Sequence, residues 1–279
     1  MKPEVTAAQL REHAREIRRA AVTMIHEAGS GHPGGSLSAA DLIAALYFKE
    51  MRLDPNNPKW PDRDRFVLSK GHVCPAQYAA LAALGYFPEE TLHTLRREGS
   101  ILQGHPDMKR CPGIDVSTGS LGQGLSVAAG MALAGKRDGK DYRVFCIVGD
   151  GEADEGQIWE AIMFANAQKL DNLIVIIDSN GLQIDGRCDD IIPHLDLEKK
   201  LAAFGFETWD IDGNDMDQIL QALDEIRVST SGKPKFINAR TVKGKGVSYM
   251  ENNAGWHGKA PNEEEYAIAM RDLEGAEQA

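Results

Sequence analysis

The sequence is poor in several features that would identify a class of protein at once. Its four cysteines, Cys74, Cys111, Cys146 and Cys188, lie far apart and form no CxxC pair. This spacing gives neither a zinc cluster nor a disulfide framework, and it is typical of a reducing cytosol. No apolar stretch is long enough to span a bilayer, and the charged amino terminus lacks the apolar core of a signal peptide. We therefore expect a cytoplasmic protein.

Positive charge is also scarce. The 31 lysines and arginines are outnumbered by 42 aspartates and glutamates, which gives a formal net charge of −11. This balance argues against a general nucleic-acid or anionic-membrane surface. An anion could still be bound locally, because backbone amides and a metal ion do not depend on net charge. The other proportions, 42% hydrophobic and 26% charged among 279 residues, are those of an ordinary globular protein.

Strand and helix patterns alternate along the chain. Thr6 and Gln9 have the spacing of a capping box, which predicts a helix from there to about Glu27. The apolar runs VFCIV and LIVII predict strands that are buried on both faces. Strands separated by helical patterns of about 10 to 15 residues imply parallel strands with right-handed crossovers. We therefore predict an α/β fold, a three-layer domain with a mostly parallel sheet and helices on both faces.

The predicted organisation has one domain, over residues 1–262, and an acidic C-terminal tail over residues 263–279. The segment SGHPGGSLS, residues 30–38, is predicted to be a loop. The predicted strands cover residues 65–68, 143–148, 172–178, 207–211 and 235–240. After the first helix, the predicted helices cover residues 38–49, 75–84, an Ala/Gly-rich stretch ending near 135, 154–169, 197–204 and 215–228.

Two polar segments follow strands that should be neighbours. GDGEADEG begins at residue 149 and DSNGLQIDG at residue 178, so Asp150 and Asn180 are 180 − 150 = 30 residues apart. Adjacent parallel strands would bring both side chains to the edge of the sheet where such folds bind ligands. A carboxylate, an amide oxygen and a backbone carbonyl of the NGL turn would suit Mg²⁺, and Gly151 would let the next helix present its amides to an anion. The alternative is two unrelated turns.

The histidines fall into two groups. Of eight, four lie in or just before helical patterns and four adjoin a glycine in loops. A single loop histidine is usually a solvated polar residue, but four at loops on one edge of the sheet predict a cluster. Imidazole can donate to phosphate or to a sugar hydroxyl, and it carries protons near neutral pH. The four loop histidines are His32, His72, His105 and His257.

Together these motifs resemble those of the transketolase family of thiamine diphosphate enzymes. The resemblance runs from about residue 10 to residue 262. It implies the thiamine diphosphate-binding fold of the diphosphate-binding domain, with thiamine diphosphate and Mg²⁺ as cofactors. In the family's order, the matching motifs are GSGHPGGSLS, DRDRFVLSKGH, GHPD, STGSLGQG, GDGEADEG, DSNGLQIDG, TVKGKG and WHGKAP.

The resemblance also implies a role for each matching residue. Asp150, Asn180 and the carbonyl of Leu182 would hold Mg²⁺. His32 and His105 would bind hydroxyls of the donor sugar, with His32 the candidate for proton transfer. The implied cofactor contacts, some of them through the backbone, are His72, Gly119, Ser120, Leu121, Gly151, Asn180, Lys243 and His257. His257 would also touch the substrate, and for Lys243 in KGKG the alternative is a solvated basic loop.

A second domain is implied as well. In this family a glutamate on that domain activates the cofactor, and its arginines bind the acceptor phosphate. We therefore expect the amino-terminal subunit of a two-chain transketolase, which transfers a two-carbon ketol unit from a ketose phosphate to an aldose phosphate. It would be active only with a separate carboxy-terminal subunit that carries the pyrimidine-binding domain, in an α₂β₂ assembly. An apolar patch around SGHPGG and STGSLGQG should mark the interface, and no nucleic-acid or membrane partner is expected.

Two alternatives remain open. The first is a subunit of another thiamine diphosphate enzyme, either a 2-oxo acid dehydrogenase α-subunit or a specialised ketol transferase. The paired GHPGG and GHPD loops favour transketolase over the dehydrogenase, because a decarboxylase does not require hydroxyl-binding histidines. They do not exclude an unusual ketose donor. The second is a non-catalytic cofactor-binding scaffold subunit, against which the intact His32, His105 and His257 argue.

Overall fold

The computed structural model describes residues 5–275. Its strands are β1 (Arg65–Leu68), β2 (Val144–Gly149), β3 (Leu173–Ser179), β4 (Leu182–Gln183), β5 (Gly186–Arg187), β6 (Glu207–Asp212) and β7 (Lys235–Arg240). Its α-helices are α1 (Ala7–Ala28), α2 (Pro33–Ser38), α3 (Ala40–Ala45), α4 (Cys74–Ala83), α5 (Gln123–Arg137), α6 (Gly156–Ala167), α7 (Cys188–Ile191), α8 (Leu197–Ala203), α9 (Met216–Val228) and α10 (Glu263–Gly275). A π-helical turn, Leu46–Glu50, follows α3.

The main sheet of the described residues is parallel throughout. Its strand order is β1–β2–β3–β7–β6. The strands β4 and β5 form a separate antiparallel hairpin that the sequence did not predict. In the register of β2 with β3, Gly149 lies opposite Asp178, so these two strands end side by side. The predicted mostly parallel sheet is confirmed.

Side chains on the strands alternate between two hydrophobic layers. On β2, Phe145 and Ile147 pack in the cluster that includes residues of α1, α3, α4 and α9. Val144, Cys146 and Val148 pack in the cluster that includes residues of α5, α6 and α8. Because helices cover both faces, these strands can be apolar at every position, which explains the uninterrupted run VFCIV. The predicted three-layer fold is confirmed.

The structure corrects the prediction for residues 30–49. Residues Pro33–Ser38 form α2 rather than a loop, and the single helix expected over 38–49 is divided into α3 and the π-helical turn. Pro33 fits at the start of α2, since the first helical residue needs no intrahelical N–H donor. Every residue of α2 is buried. Tertiary packing therefore holds a helix that is too short to be stable alone.

The predicted tail is helical over most of its length. The helix α10 packs against α1, and its Ala269 and Leu273 are buried. Residues 276–279 of the predicted tail lie outside the described residues. The division at residue 262 between a domain and a tail stays a prediction.

Other features follow the sequence closely. The N–H of Gln9 donates to Thr6 Oγ1 and the N–H of Thr6 donates to Gln9 Oε1, so the capping box of α1 is present. Gly29 ends α1 with φ +61°, which glycine adopts without strain. All four cysteines are buried and free. Within residues 5–275, no helix combines the length and the apolar character needed to cross a membrane.

Candidate active site

Asp150 and Asn180 meet at the C-terminal edge of the sheet. They follow β2 and β3, and they are 5% and 9% exposed. Oδ1 of Asp150 accepts a hydrogen bond from the N–H of Gly151 at 2.8 Å, and Oδ2 accepts one from the N–H of Gly181. Oδ1 of Asn180 accepts from the N–H of Leu182 at 3.2 Å. The predicted metal ligands therefore surround one turn, residues 180–182.

The surroundings of Asp150 disfavour its negative charge when that charge has no partner. Burial raises the pKa of Asp150, and the neighbouring carboxylate of Asp178 adds to the rise, against the lowering effect of the N–H donors and of Lys70. Residues 5–275 contain no group of three His, Cys, Asp or Glu side chains that could hold a metal ion. A metal at this turn would therefore depend on the amide of Asn180 and the carbonyl of Leu182 as well. Hard oxygen ligands of this kind suit Mg²⁺, so the residues present fit that ion.

Lys243 lies between this turn and the histidines. It is 2% exposed, and its Nζ donates to the carbonyl of Leu182 at 3.0 Å. The same Nζ is 2.9 Å from Nδ1 of His257. Burial, followed by the positive charge of Lys70, lowers the pKa of Lys243 to about 8. A desolvated ammonium is a strong partner for a phosphate oxygen, and its burial excludes the alternative of a solvated basic loop at this residue.

Three of the four loop histidines form a cluster. The ring centroids of His32 and His257 are 5.5 Å apart, and each lies 5.1 Å from that of His72. Burial, with a smaller contribution from nearby positive charges, lowers the pKa of all three, to about 4 for His32 and about 3 for His257. The three rings are therefore neutral at pH 7. Nδ1 of His32 is buried without a hydrogen-bond partner among the described residues, and such an unsatisfied polar atom is uncommon outside functional sites.

His105 stands beside this cluster, in a more exposed position. Its ring packs against Gly119, where an added Cβ would lie 2.8 Å from the imidazole. Gly119 also has φ +139°, a conformation that side chains rarely allow, so glycine is needed for the two loops to approach. Partial burial and the positive charge of Arg96 lower the pKa of His105. The structure thus brings His105 next to the loop predicted to contact the cofactor.

A cavity of about 120 Å³ lies at the centre of these residues. Pockets that enclose a whole cofactor-sized ligand usually measure about 300–1,000 Å³, so this cavity suits only part of one. Of the predicted site residues, His32, His105, Gly119 and Ser120 are not part of its lining. The predicted site residues that line it are His72, Leu121, Asp150, Gly151, Asn180, Leu182, Lys243 and His257.

The structure adds charged residues that the sequence analysis missed. Lys70 lines the cavity and forms an ion pair with Asp178, with 2% and 0% of the two residues exposed. Arg96 donates from its guanidinium to Ser30 Oγ at 2.9 Å, between the loops that carry His32 and His105. Lys70 directly precedes a predicted site loop and Asp178 lies near the end of β3, so their positions in the sequence could have indicated that they belong to the site. Arg96 had no such signal.

Glu152 fixes the predicted cofactor loop, residues 119–121. It is 3% exposed, and its Oε1 accepts from the N–H of Gly122 at 2.9 Å. Its Oε2 accepts from the N–H of Gly149 at 3.1 Å, and the Ser69 hydroxyl donates to Oε1. Burial raises the pKa of Glu152 against the lowering effect of these donors. One buried carboxylate therefore joins the loop to the ends of β1 and β2.

A wider groove, of about 590 Å³, lies at the opposite edge of the sheet. Its charged side chains neutralise one another, since Glu50 pairs with both Arg143 and Arg227. Parallel sheets bind their ligands beyond the C-terminal ends of the strands, where all the predicted site residues lie. The C-terminal edge is therefore the candidate active site.

Comparison with known proteins gives relatives over nearly the whole chain. Residues 10–278 match the family described as "Transketolase, thiamine diphosphate binding domain". The chain is 49% identical over 265 residues to the 6-deoxy-6-sulfo-D-fructose transketolase subunit SqwG of Clostridium sp., covering 95% of this chain and 96% of that protein. It is 44% identical over 256 residues to a subunit of the apulose-4-phosphate transketolase of Phocaeicola vulgatus, covering 92% and 90%.

Solved structures give the same family. The transketolase from Leishmania mexicana superposes with a TM-score of 0.90 at 34% sequence identity, and the match covers 95% of this chain and 41% of that one. A transketolase from Campylobacter jejuni superposes with a TM-score of 0.89 at the same identity, covering 95% and 42%. The chain therefore belongs to the transketolase family and corresponds to its thiamine diphosphate binding domain.

Proposed function

We propose that this chain is the subunit of a two-chain transketolase that holds the diphosphate end of thiamine diphosphate together with Mg²⁺. The enzyme transfers a two-carbon ketol unit from a ketose phosphate to an aldose phosphate. The observation that carries the proposal is that Asp150, Asn180 and Lys243 meet a cluster of neutral histidines at one sheet edge, in a chain of this family. When bound, the cofactor supplies the nucleophilic carbon and the electron sink for this transfer.

The diphosphate end is held by metal and by backbone. Asp150, Asn180 and the carbonyl of Leu182 hold Mg²⁺. The ammonium of Lys243 contacts that carbonyl, and beside a bound metal it would instead pair with a diphosphate oxygen, because two cations at one carbonyl repel each other. His72, the N–H of Gly151 and the backbone of residues 119–121 complete the contacts on this subunit.

The sugar end is held by histidines. His32 and His105 bind hydroxyls of the donor sugar, and His257 contacts both the sugar and the diphosphate. Neutral imidazoles can both donate and accept here without bringing a charge into the site. His32 also moves a proton, for which its pKa of about 4 is too low for efficient exchange at pH 7. A diphosphate held beside Lys243 would offset one of the positive charges that lower the pKa of His32.

A separate subunit completes the proposed site. The cavity holds only part of a cofactor, and the chain corresponds to 41% of a single-chain transketolase. The similar proteins of matching length are named as subunits. The proposed partner is a carboxy-terminal subunit with the pyrimidine-binding domain, in an α₂β₂ assembly. Four free, buried cysteines support a cytoplasmic location for the enzyme.

A specialised ketol transferase is the second candidate. The relatives of similar length are named for 6-deoxy-6-sulfo-D-fructose and apulose 4-phosphate. Both compounds carry an anionic group, so the donor is proposed to be an anionic ketose, with a sulfosugar as the alternative to a pentulose phosphate. The dehydrogenase alternative gains no support from the family match. A scaffold subunit would not explain why His32 keeps a buried ring nitrogen without a partner.

Reconstitution tests the proposal. The chain is assayed with Mg²⁺ and thiamine diphosphate, first alone and then with a subunit that carries the pyrimidine-binding domain and co-purifies with it. Xylulose 5-phosphate and 6-deoxy-6-sulfofructose serve as donors, and ribose 5-phosphate as acceptor. We expect no transfer by the chain alone and transfer by the pair with at least one donor. Full turnover by the chain alone would contradict the two-chain proposal, and inactivity of the pair with every donor would favour the scaffold.

A further inference from the structure

A buried polar network lies directly beneath the proposed metal ligands. The ion pair of Lys70 and Asp178 forms its base. Asp178 also accepts hydrogen bonds from the hydroxyl of Ser38, at 2.6 Å, and from that of Thr241. Ser38 is fully buried in α2. The network therefore joins the residues after β1 and β7 to β3 and α2, and none of the roles assigned above uses it.

The direction of its hydrogen bonds is fixed. Lys70 can only donate, and the carboxylate of Asp178 can only accept. The Ser38 hydroxyl has two acceptors in reach, Oδ2 of Asp178 at 2.6 Å and the carbonyl of Gly35 at 3.0 Å, and its single proton goes to the nearer and charged one. The Ser38 oxygen then has only lone pairs to offer to Nδ2 of Asn180, a donor, which lies 3.4 Å away. In the series of hydrogen bonds from Lys70 to Asn180, each bond therefore determines the direction of the next.

The last bond decides which end of the Asn180 amide faces the turn. With Nδ2 directed to Ser38, Oδ1 accepts from the N–H of Leu182 at 3.2 Å. A reversed amide would place a donor against that N–H and an acceptor against the Ser38 lone pairs, so both contacts would be lost. Oδ1 is the atom that the proposed function assigns to Mg²⁺. The orientation of this ligand thus depends on a hydroxyl that does not itself touch the ion.

We propose that Ser38 is a positioning residue for the metal site, which keeps the amide oxygen of Asn180 directed to the ion. The inference rests on the proposed function, since it takes Asn180 as a metal ligand. Ser38 acts through Asn180 and not through the charge of the site, because its hydroxyl is neutral. The ion pair of Lys70 with Asp178 is the fixed reference that sets the direction of the Ser38 hydroxyl.

Binding of Mg²⁺ in the presence of saturating thiamine diphosphate tests the proposal. The dissociation constant is measured by calorimetry on the full chain assembled with its partner subunit. We expect Ser38→Ala to raise the dissociation constant about tenfold. Ser38→Cys should give a value between those of the native chain and Ser38→Ala, because sulfur is a weak acceptor. The control is Ser100→Ala, a buried serine that hydrogen-bonds Thr94 and the N–H of Leu102 away from the metal site. Its dissociation constant should stay unchanged.

A double-mutant cycle separates positioning from a general loss of structure. If Ser38 acts through Asn180, Ser38→Ala weakens Mg²⁺ binding in the native chain and adds nothing in Asn180→Ala. Equal weakening in both backgrounds overturns the proposal, and so does an unchanged constant in Ser38→Ala when Asn180→Ala raises it. If Asn180→Ala has no effect, the proposed metal ligands themselves are wrong, and the role of Ser38 falls with them.

Discussion

Arg96 illustrates how one charge acts on the proposed sugar-binding residues. After burial, its positive charge is the largest influence that lowers the pKa of His32 and of His105. Arg96→Gln should therefore raise the pKa of both histidines towards the ordinary value of about 6.5. Titration of the imidazole resonances by NMR measures the change, and Arg97→Gln, at an exposed neighbouring residue, should leave both pKa values unchanged.

The same shift affects stability. Because the folded pKa of His32 lies below that of the unfolded chain, the unfolded state binds more protons below about pH 6.5. The free energy of unfolding should fall as the pH drops from 6.5 towards 4, and less steeply in Arg96→Gln. If neither histidine shifts in the variant, burial alone sets their pKa values.

His105 lies outside the lining of the cavity at the candidate active site, and this separates its expected role from that of His72. His105→Ala should lower ketol transfer much more than the affinity for thiamine diphosphate. Loss of a partner for a buried sugar hydroxyl costs about 1–3 kcal/mol, roughly a ten- to hundredfold loss of rate. Steady-state kinetics and cofactor titration of the assembled enzyme measure the two effects. A variant that lost cofactor affinity and kept its turnover would contradict this division of roles.

One matched variant serves as the control for that experiment. His93→Ala removes an exposed histidine that pairs with Glu27, so it should change neither quantity.

At the scale of residues, sequence spacing brought together the proposed metal ligands but not the residues that support them. Asp150 and Asn180 could be paired because each follows a strand and because one strand–helix–strand unit separates them. Lys70, Asp178 and Ser38 could not be grouped in this way. They come from three distant segments, and only the folded chain shows that their side chains share one buried network. A charged residue beside a strand end is as compatible with solvent as with an ion pair.

Elements of the site depend on one another through Glu152. Glu152→Gln should place an amide N–H₂ against one of two backbone N–H donors, Gly122 or Gly149. We expect the free energy of unfolding to fall by about 1–3 kcal/mol and the amide of Gly122 to exchange faster. Urea denaturation and hydrogen exchange measure these effects. Glu90→Gln, at an exposed residue, should stay within about 0.5 kcal/mol of the native chain, and an unchanged Glu152→Gln would show that the loop is held otherwise.

The elements themselves were predictable where local signals are strong. The capping box and the apolar runs gave α1, β2 and β3 within a few residues of their observed bounds. The short helix α2 was missed because its two glycines and its proline favour a loop, and burial against the rest of the chain outweighs that preference. The hairpin of β4 and β5 was missed because each strand has only two residues, too few for an alternating pattern.

Over the whole molecule, the exposed apolar side chains agree only in part with the patch expected from the sequence. The expected patch included SGHPGG, but residues 33–38 are buried within the chain. In STGSLGQG, Leu121 is 37% exposed. A further group of exposed apolar residues follows β3, and one of them, Ile184, lines the cavity at the candidate active site. Such a concentration is typical of an interface, and the residues are Ile184, Ile191, Ile192 and Leu195, from 40% to 82% exposed.

The strand order has a consequence for the synthesis of this protein on the ribosome. The last strand of the described residues, β7, lies inside the sheet between β3 and β6. Until β7 leaves the ribosome, the edge of β3 that pairs with it is exposed, and β6 has no neighbouring strand. Lys243 and His257, which line the cavity at the candidate active site, follow β7 in the chain. The lining of this cavity can therefore be complete only after the sheet has formed. A nascent chain with such an unpaired apolar edge is prone to aggregate, and the proposed cofactor site is not yet formed, so ligand binding cannot stabilise it at this stage.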